Sequence, residues 1–500
     1  MAPDDGYVRE LGYTHRYCPE IAPARIDLAC LAWGVQRRKP ATRYLELAFG
    51  QGVSINIHAA AAGGEFRGID FNPDHVTNAR TLAKASGSPV RLSAESFEEF
   101  AARGDLPQFD VIAMHGTWSW ISAENRRRIV QFLQRGLAPG GRFFVSYNCL
   151  PGWSAELPLR HLLALHADLS EHEGRGPGDL VARIDASLEF AQSLLEADAK
   201  YFGAHGGLPA WLAKLHGQSR NYLAHEYFNR DWHPMPSSEV ARELSCANLV
   251  FAASATLAGH HDALGLTERA RRLLDAATHP VMRETVFDYL VNRRFRRDIF
   301  VKEPRPMSPA AQTENLRGIA FTLLQHPDCV PSGAELPGGE MRLPAAVYRP
   351  IIEAMAADHY APKTLRELEQ RPGCAGIAFG QLAQAALVLT GMGSLHPVQS
   401  RRAIDAAAPR CKALNKHILE RSLESADISA LASPVTGAGI FLAREEMVFL
   451  HSISLGHGGP DDWARHAWES LGEGDPATLR SGARAFGRMR LPVLQSLGVA

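Results

Sequence analysis

The sequence predicts an α/β protein: a doubly wound, Rossmann-like parallel sheet followed by helical and winged-helix-like units. Three observations carry this expectation. Apolar runs of strand length alternate with helical stretches over the first 150 residues, long helical periods take over after Trp153, and two helices about a turn appear near 363–397. Strands alternating with helices at such spacing form βαβ units, whose right-handed crossovers give a parallel sheet.

In chain order, the strand candidates are RYLELAF, EFRGIDF, PVRLSAE, FDVIAMHG and GRFFVSYN, the last entered through LAPG. PDHVTNARTLAKAS and ENRRRIVQFLQRGL carry the 3.6-residue apolar period of covering helices. Ligands of such sheets sit outside the carboxyl ends of the strands. The turns after Ala48, Asp70, Leu92, Met114 and Tyr147 are therefore the expected site. From ELPLRHLLALHADLSEH to LTERARRLLDAA the period is helical, with no new βαβ unit before about residue 295. RRDIFVK and LRGIAFTLL then suit either a return to the first sheet as antiparallel strands or membership of the next unit. The loop HPDCVPSGAELPGGE leads into the helix pair, with its helix-turn-helix spacing. Beyond 411 come further helices, with strands expected in GAGIFLAREEMVFLHSI. The expected units are 1–153, 154–300, 301–410 and 411–500.

Composition excludes several classes. The 500 residues are 46% hydrophobic and 21% charged, which is material for several cores. Lys+Arg 53 against Asp+Glu 54 leaves a net charge of −1, so no global field draws the chain to nucleic acid or anionic membrane. The second helix of the pair, AFGQLAQAALVLTGMG, has no Arg or Lys to meet phosphates or guanines, and no nucleic-acid partner is expected. No stretch reaches the ~18 apolar residues of a membrane span. The start MAPDDGYVRE carries acids where a secretion signal is basic, which points to the cytoplasm. Seven cysteines without a C-x-x-C pair argue against structural zinc and a disulfide framework. His225 and Glu226 are followed by His233 rather than a histidine at 229, so H-E-x-x-H fails and no metal site is expected.

The turn in YLELAFGQG is informative by what it lacks. Gly50 and Gly52 fill two places of G-x-G-x-x-G, but Ile55 fills the third, and Val53 and Ser54 stand where a phosphate loop needs Lys and Ser or Thr. Glu46, at the end of the first strand, would repel phosphate and welcome an ammonium group. A ligand with a ribose, a positive charge and no phosphate fits, and S-adenosylmethionine has all three features. Asp70 ends the second strand, where a carboxylate accepts from ribose hydroxyls. Glu95 follows the third, where an adenine amino group would point. Methyl transfer needs alignment more than a general base, and a lysine acceptor must arrive neutral against a reference pKa of ~10.4. A desolvated pocket with aromatic walls would help. Trp118, Tyr147 and Asn148, just past the fourth and fifth strands, are the expected acceptor-side catalytic residues. Packing is the expected role of Trp120 and Trp153, hydrogen bonding that of His225 and Glu226, and a solvated, acid-paired face that of NRRFRRD.

Together YTHRYCPE, ELAFGQGVSINIHAAA, DFNP, ESFEE, FDVIAMHGTWSWIS and GGRFFVSYNCLPGW resemble the class I methyltransferases. With NYLAHEYFNRDWHPM and DYLVNRRFRRDIFV added, the chain is similar from Tyr13 to about Phe300 to bacterial members with a methyltransferase regulatory domain, including lysine methyltransferases of outer-membrane proteins. The resemblance implies methyl transfer from S-adenosylmethionine to a protein lysine. A small-molecule acceptor is the alternative the same core would serve, and a cofactor-sensing binding protein is a further one. Carried over by motif, Glu46, Gly50 and Gly52 line the methionine end, with Ala48 and Phe49 in the same turn. Asp70 and Phe71 take the ribose, Glu95, Ser96 and Phe97 the adenine, and His115 and Gly116 the floor. The family's first-turn glycine is Ala48 here, and a left-handed requirement at that position would weaken binding. Tyr13, His15 and Tyr17 suit either a segment folded over the donor or a structural anchor. The amphipathic helices at 155–200 could pair two copies as a homodimer.

Overall fold

A central sheet of β1 (Arg43–Leu47), β2 (Glu65–Asp70), β3 (Arg91–Ala94), β4 (Phe109–Met114) and β5 (Leu137–Asn148) is parallel throughout. In this computed structural model, residues 14–36, 43–172, 179–259, 265–336, 338–472 and 474–500 are described. Two more strands, β6 (Leu249–Ser254) and β7 (Phe295–Lys302), complete the order β3-β2-β1-β4-β5-β7-β6, with β7 antiparallel to both β5 and β6. RRDIFVK thus returns to the first sheet. β6 lies where only helices were expected, and its alanine-rich run LVFAAS fits a helix as well as a strand until pairing decides. It pairs on one side only, as the sheet's edge, and Val250 faces solvent.

Helices α1 (Pro23–Ala32), α2 (Val53–Ala61), α3 (Pro73–Ser86), α4 (Phe97–Ala102) and α5 (Ala123–Gly136) accompany these strands. Local chemistry sets their starts. Asn72 accepts from the Asp74 amide ahead of Pro73 to open α3, and Ser96 with Glu99 forms a capping box on α4. Between β5 and β6, helices Leu157–His172, Leu180–Glu196, Leu208–His216 and Arg220–Tyr227 share a core of Leu159, Leu163, Leu188, Leu212 and Leu223.

The stretch NRRFRRD does pair with acids, but not on a solvated face. Arg296 on β7 is 4% exposed and donates to Asp298 at 2.7 Å, Asp288 at 2.7 Å and Glu284 at 2.6 Å. Tyr147 on β5 and Ser237 donate to the same carboxylates, each at 2.7 Å. Burial opposes the Arg296 charge, and the three carboxylates outweigh it, raising its pKa.

LRGIAFTLL supplies the strand Ala320–Leu323, which pairs antiparallel with Lys363–Thr364 and Leu395–Pro397. Helices Leu365–Glu369 and Phe379–Gly391 lie beside this small sheet, and the second buries Leu382, Ala383 and Ala385 through Thr390. Helix Arg401–Ser422 packs on α2 and α3, so that Val53, Ile57 and Leu82 share a core with Leu414 and Ile418. The hairpin Ala430–Ser433 and Ala438–Phe441 follows. EEMVFLHSI is helical (Arg444–Ser454), not a strand, because Glu446 turns back to accept from the Ala443 amide and starts a helix there. Among the described residues no helix is long and apolar enough to cross a membrane.

Replacing Arg296 by Met strands three buried carboxylates. Urea unfolding is expected to show a loss of about 3–5 kcal/mol, whereas removing the exposed Arg401–Asp405 pair should cost under ~0.5 kcal/mol.

Candidate active site

β1 runs into a turn in which Ala48, Gly50 and Gly52 all take positive φ, at 55°, 58° and 73°. Ala48 is therefore in the left-handed region, where its methyl group is strained. Gly52 begins α2, and a Cβ there would lie 2.3 Å from that of Ala79, so the glycine lets α3 approach closely. The Gly50 amide donates to Asp70 at 2.8 Å, and the other Asp70 oxygen accepts from the Asn72 amide at 2.9 Å and lies 3.1 Å from His75 Nδ1. These bonds tie the ends of β1 and β2 together and leave acceptor capacity on the carboxylate.

These turns open onto a cavity of about 460 Å³. Glu46, Ala48, Phe49 and Gly50 line it from β1, and Asp70, Phe71, Glu95, Ser96 and Phe97 from β2 and β3. His115, Gly116 and Asn148 close the far side. Gly52 stays behind this lining as the first support of α2. Tyr13 lies outside the described residues.

Glu46 is buried, and its Oε2 has no hydrogen-bond partner. Burial pushes its carboxyl up to about 8, opposed by a bond from Tyr44 and reinforced by the charge of Asp70. His115 stacks on Phe144 with ring centroids 6.0 Å apart, and its Nε2 is also without a partner. Burial lowers it to about 4, more than Glu20 raises it, so the imidazole is neutral at pH 7. Glu95 accepts from the Ser93 hydroxyl and from Arg103 at 3.3 Å.

Trp118 and Tyr147 are not brought to the cavity. Trp118 is 0% exposed and packs on Phe143 inside the sheet core. Tyr147 is 1% exposed and is used by Asp298. Side chains alternate along a strand, so Asn148 faces the cavity and Tyr147 the opposite side. In the short turn Trp118–Trp120 it is Trp120 that reaches the lining.

Other walls come from stretches assigned bland roles in the sequence. Trp153 lines the cavity, its Nε1 donating to the Arg294 carbonyl at 3.0 Å while the Arg294 guanidinium lies 4.2 Å above its ring. Trp232 packs edge-on behind it at 5.1 Å. Helix Arg220–Tyr227 contributes Tyr222, His225 and Glu226, whose spacing of three and four puts them on one face. Thr14, Arg16 and Cys18 form the last wall. Both NYLAHEYF and NRRFRRD stood out as motifs, and the helical spacing of 222, 225 and 226 was the available signal.

A seven-stranded sheet of this order, with a cavity at its strand ends, defines a class I methyltransferase. A family model described as "Methyltransferase domain" matches residues 45–141, and one described as "Predicted methyltransferase regulatory domain" matches 219–302. The chain is 35% identical over 521 aligned residues to the uncharacterized protein sll1526 of Synechocystis sp., with 100% of both covered. It belongs with that relative to a family of S-adenosylmethionine-dependent methyltransferases carrying a methyltransferase regulatory domain. The uncharacterized protein RP028 of Rickettsia prowazekii is 30% identical over 37% of this chain and 72% of its own length. In fold the chain is similar to PKMT2 from Rickettsia typhi, solved in complex with AdoHcy, at 16% identity, 98% coverage of each chain and a TM-score of 0.67.

Ala48→Gly should relieve the left-handed strain at the turn. After the larger backbone entropy of glycine in the unfolded chain is subtracted, a gain of about 0.5–1 kcal/mol is expected in urea unfolding.

Proposed function

We propose that this methyltransferase acts on protein lysine side chains, with the donor held at the ends of β1, β2 and β3 and the lysine entering past Trp120, Trp153 and Tyr222. The observation that carries the reading is the composition of one continuous cavity: two buried carboxylates at one end, an aromatic wall at the other. The orphaned oxygen of Glu46 suits the donor's ammonium group, Asp70 its ribose, and Glu95 through Phe97 its adenine. S-adenosylmethionine, when bound, supplies a methyl group activated by a sulfonium. The chain's own task is to align and to exclude water, with alignment worth up to ~7–11 kcal/mol of barrier. Aromatic walls disfavour a charged amine by desolvation, which helps the lysine arrive neutral, and Glu226 offers a carboxylate that draws the cation toward the entrance. The exposed rim at Thr14, Arg16 and Tyr222 supports a side chain reaching in from a folded partner. The similarity to lysine methyltransferases of outer-membrane proteins supports the same acceptor. In this reading residues 1–153 hold the donor and give Trp120 and Trp153 to the acceptor side, 154–300 supply the rest of the acceptor wall, and the reaction takes place in the cytoplasm.

Purified protein incubated with methyl-labelled S-adenosylmethionine and a lysate of its source cells is expected to label protein, in a form stable to acid and base and assigned to lysine by mass spectrometry. Label confined to the small-molecule fraction would overturn the protein acceptor. Glu46 gives a second expectation. Its carboxyl is mostly protonated at pH 7 and must ionise to pair with an ammonium, so affinity rises as pH climbs toward 8. Calorimetry in two buffers of different ionisation enthalpy should show close to ~1 proton released per donor bound at pH 7, and none in Glu46→Gln.

A further inference from the structure

The wall made by Thr14, Arg16 and Cys18 is held from outside the sheet. Those three residues line the cavity, while the intervening His15 and Tyr17 point to the C-terminal part of the chain, the alternation of an extended segment. Tyr17 Oη accepts from the Gly439 amide at 2.7 Å, and a Cβ on Gly439 would lie 2.8 Å from the Tyr17 ring. His15 Nε2 lies 3.2 Å from Arg421 Nη2. An arginine only donates, so Nε2 accepts and the His15 proton sits on Nδ1, 3.6 Å from Asp427. Asp427 in turn takes two donors from the Arg421 guanidinium, Nε at 3.2 Å and Nη2.

Arg421 also reaches the glycine turn from the other side. Its Nη1 donates to Asn78 Oδ1 at 3.1 Å, and Asn78 Nδ2 donates to the Gln51 carbonyl at 2.8 Å. Gln51 belongs to the cavity lining. One guanidinium at the end of helix Arg401–Ser422 therefore braces both the segment over the cavity and the turn beneath it.

We infer that Arg421, with Asp427 and His15, is a positioning residue for the methyl donor, and that the C-terminal unit serves the reaction by clamping the 14–18 segment and the glycine turn around it. The inference rests on the reading that the donor occupies this cavity. Releasing the clamp lowers the fraction of molecules with a closed site, and apparent donor affinity falls by that fraction.

The test is S-adenosylhomocysteine binding by calorimetry, with donor KM and kcat measured on the full chain. Arg421→Ala should weaken binding about tenfold and raise the donor KM by a similar factor while kcat at saturating donor stays within about twofold, since a populated closed state reacts normally. His15→Ala, which cuts only the link to the segment, should shift affinity in the same direction and covers the case in which Arg421→Ala does not fold. Wild-type affinity in a folded Arg421→Ala or His15→Ala protein overturns the clamp, as does a loss confined to kcat. Failure of the unaltered protein to bind S-adenosylhomocysteine removes the donor reading itself, which is a separate result.

Discussion

Three buried carboxylates around Arg296 are the constraint on which the arrangement of this molecule turns. Asp298 sits beside Arg296 on β7, while Glu284 and Asp288 come from the helix Pro280–Leu290. Charges removed from water are tolerated when close pairing and hydrogen bonds offset the lost hydration. Here Tyr147 of β5 donates to one Asp298 oxygen and Ser237 to Asp288, while the other Asp298 oxygen has no hydrogen-bond partner. The cluster thus specifies how the segment matched as a regulatory domain meets the methyltransferase sheet. Because β7 is pinned in this way, Phe295 and Arg297 are carried to the cavity on that strand, with Arg294 immediately before it, and Trp153 is fixed by the Arg294 carbonyl. The region matched as regulatory is structurally part of the cavity wall.

At the opposite edge of the cavity the design is a set of tethers on a strained turn. Asp70 takes the Gly50 amide, Asn78 takes the Gln51 carbonyl, and Gly52 lets α3 press against α2. Ala48 holds a backbone conformation that its methyl group disfavours, which is tolerable because so many neighbours determine the turn. Glu46 lies just beneath, buried and lacking a partner for one oxygen. Strain and an unsatisfied buried carboxyl oxygen are concentrated where a cationic ligand would relieve the second of them.

How much of this was legible in the sequence depends on how far each residue's position is set by its own neighbours. Glu46, Asp70 and Glu95 could be placed because strand ends follow from local apolar runs, and such sheets carry their ligands there. Trp118 and Tyr147 were assigned to the wrong side, because facing depends on strand parity and on the phase of one short turn, where a shift of one residue reverses the outcome. The strand LVFAAS was missed because its identity comes from pairing with β7 rather than from its composition. The aromatic wall was underestimated for a related reason: nothing local tells that Trp153 and Tyr222 face one space. The clamp at Arg421 was out of reach altogether, since it joins residues 406 positions apart in the chain.

That separation has a meaning for how the protein is made. Tyr17 and the Gly439 amide that grips it are 422 residues apart. At typical synthesis rates of about 5–20 residues per second, roughly 20–80 s pass between the emergence of one and of the other. During that interval the sheet, its glycine turn and the Arg296 cluster can all assemble, while the wall over the cavity has its ties to Ser54 and His58 of α2 but not yet those to Arg421 and Gly439. Until Arg421 and Gly439 have been made, the chain therefore carries the sheet and its turns with the wall over the cavity held only in part.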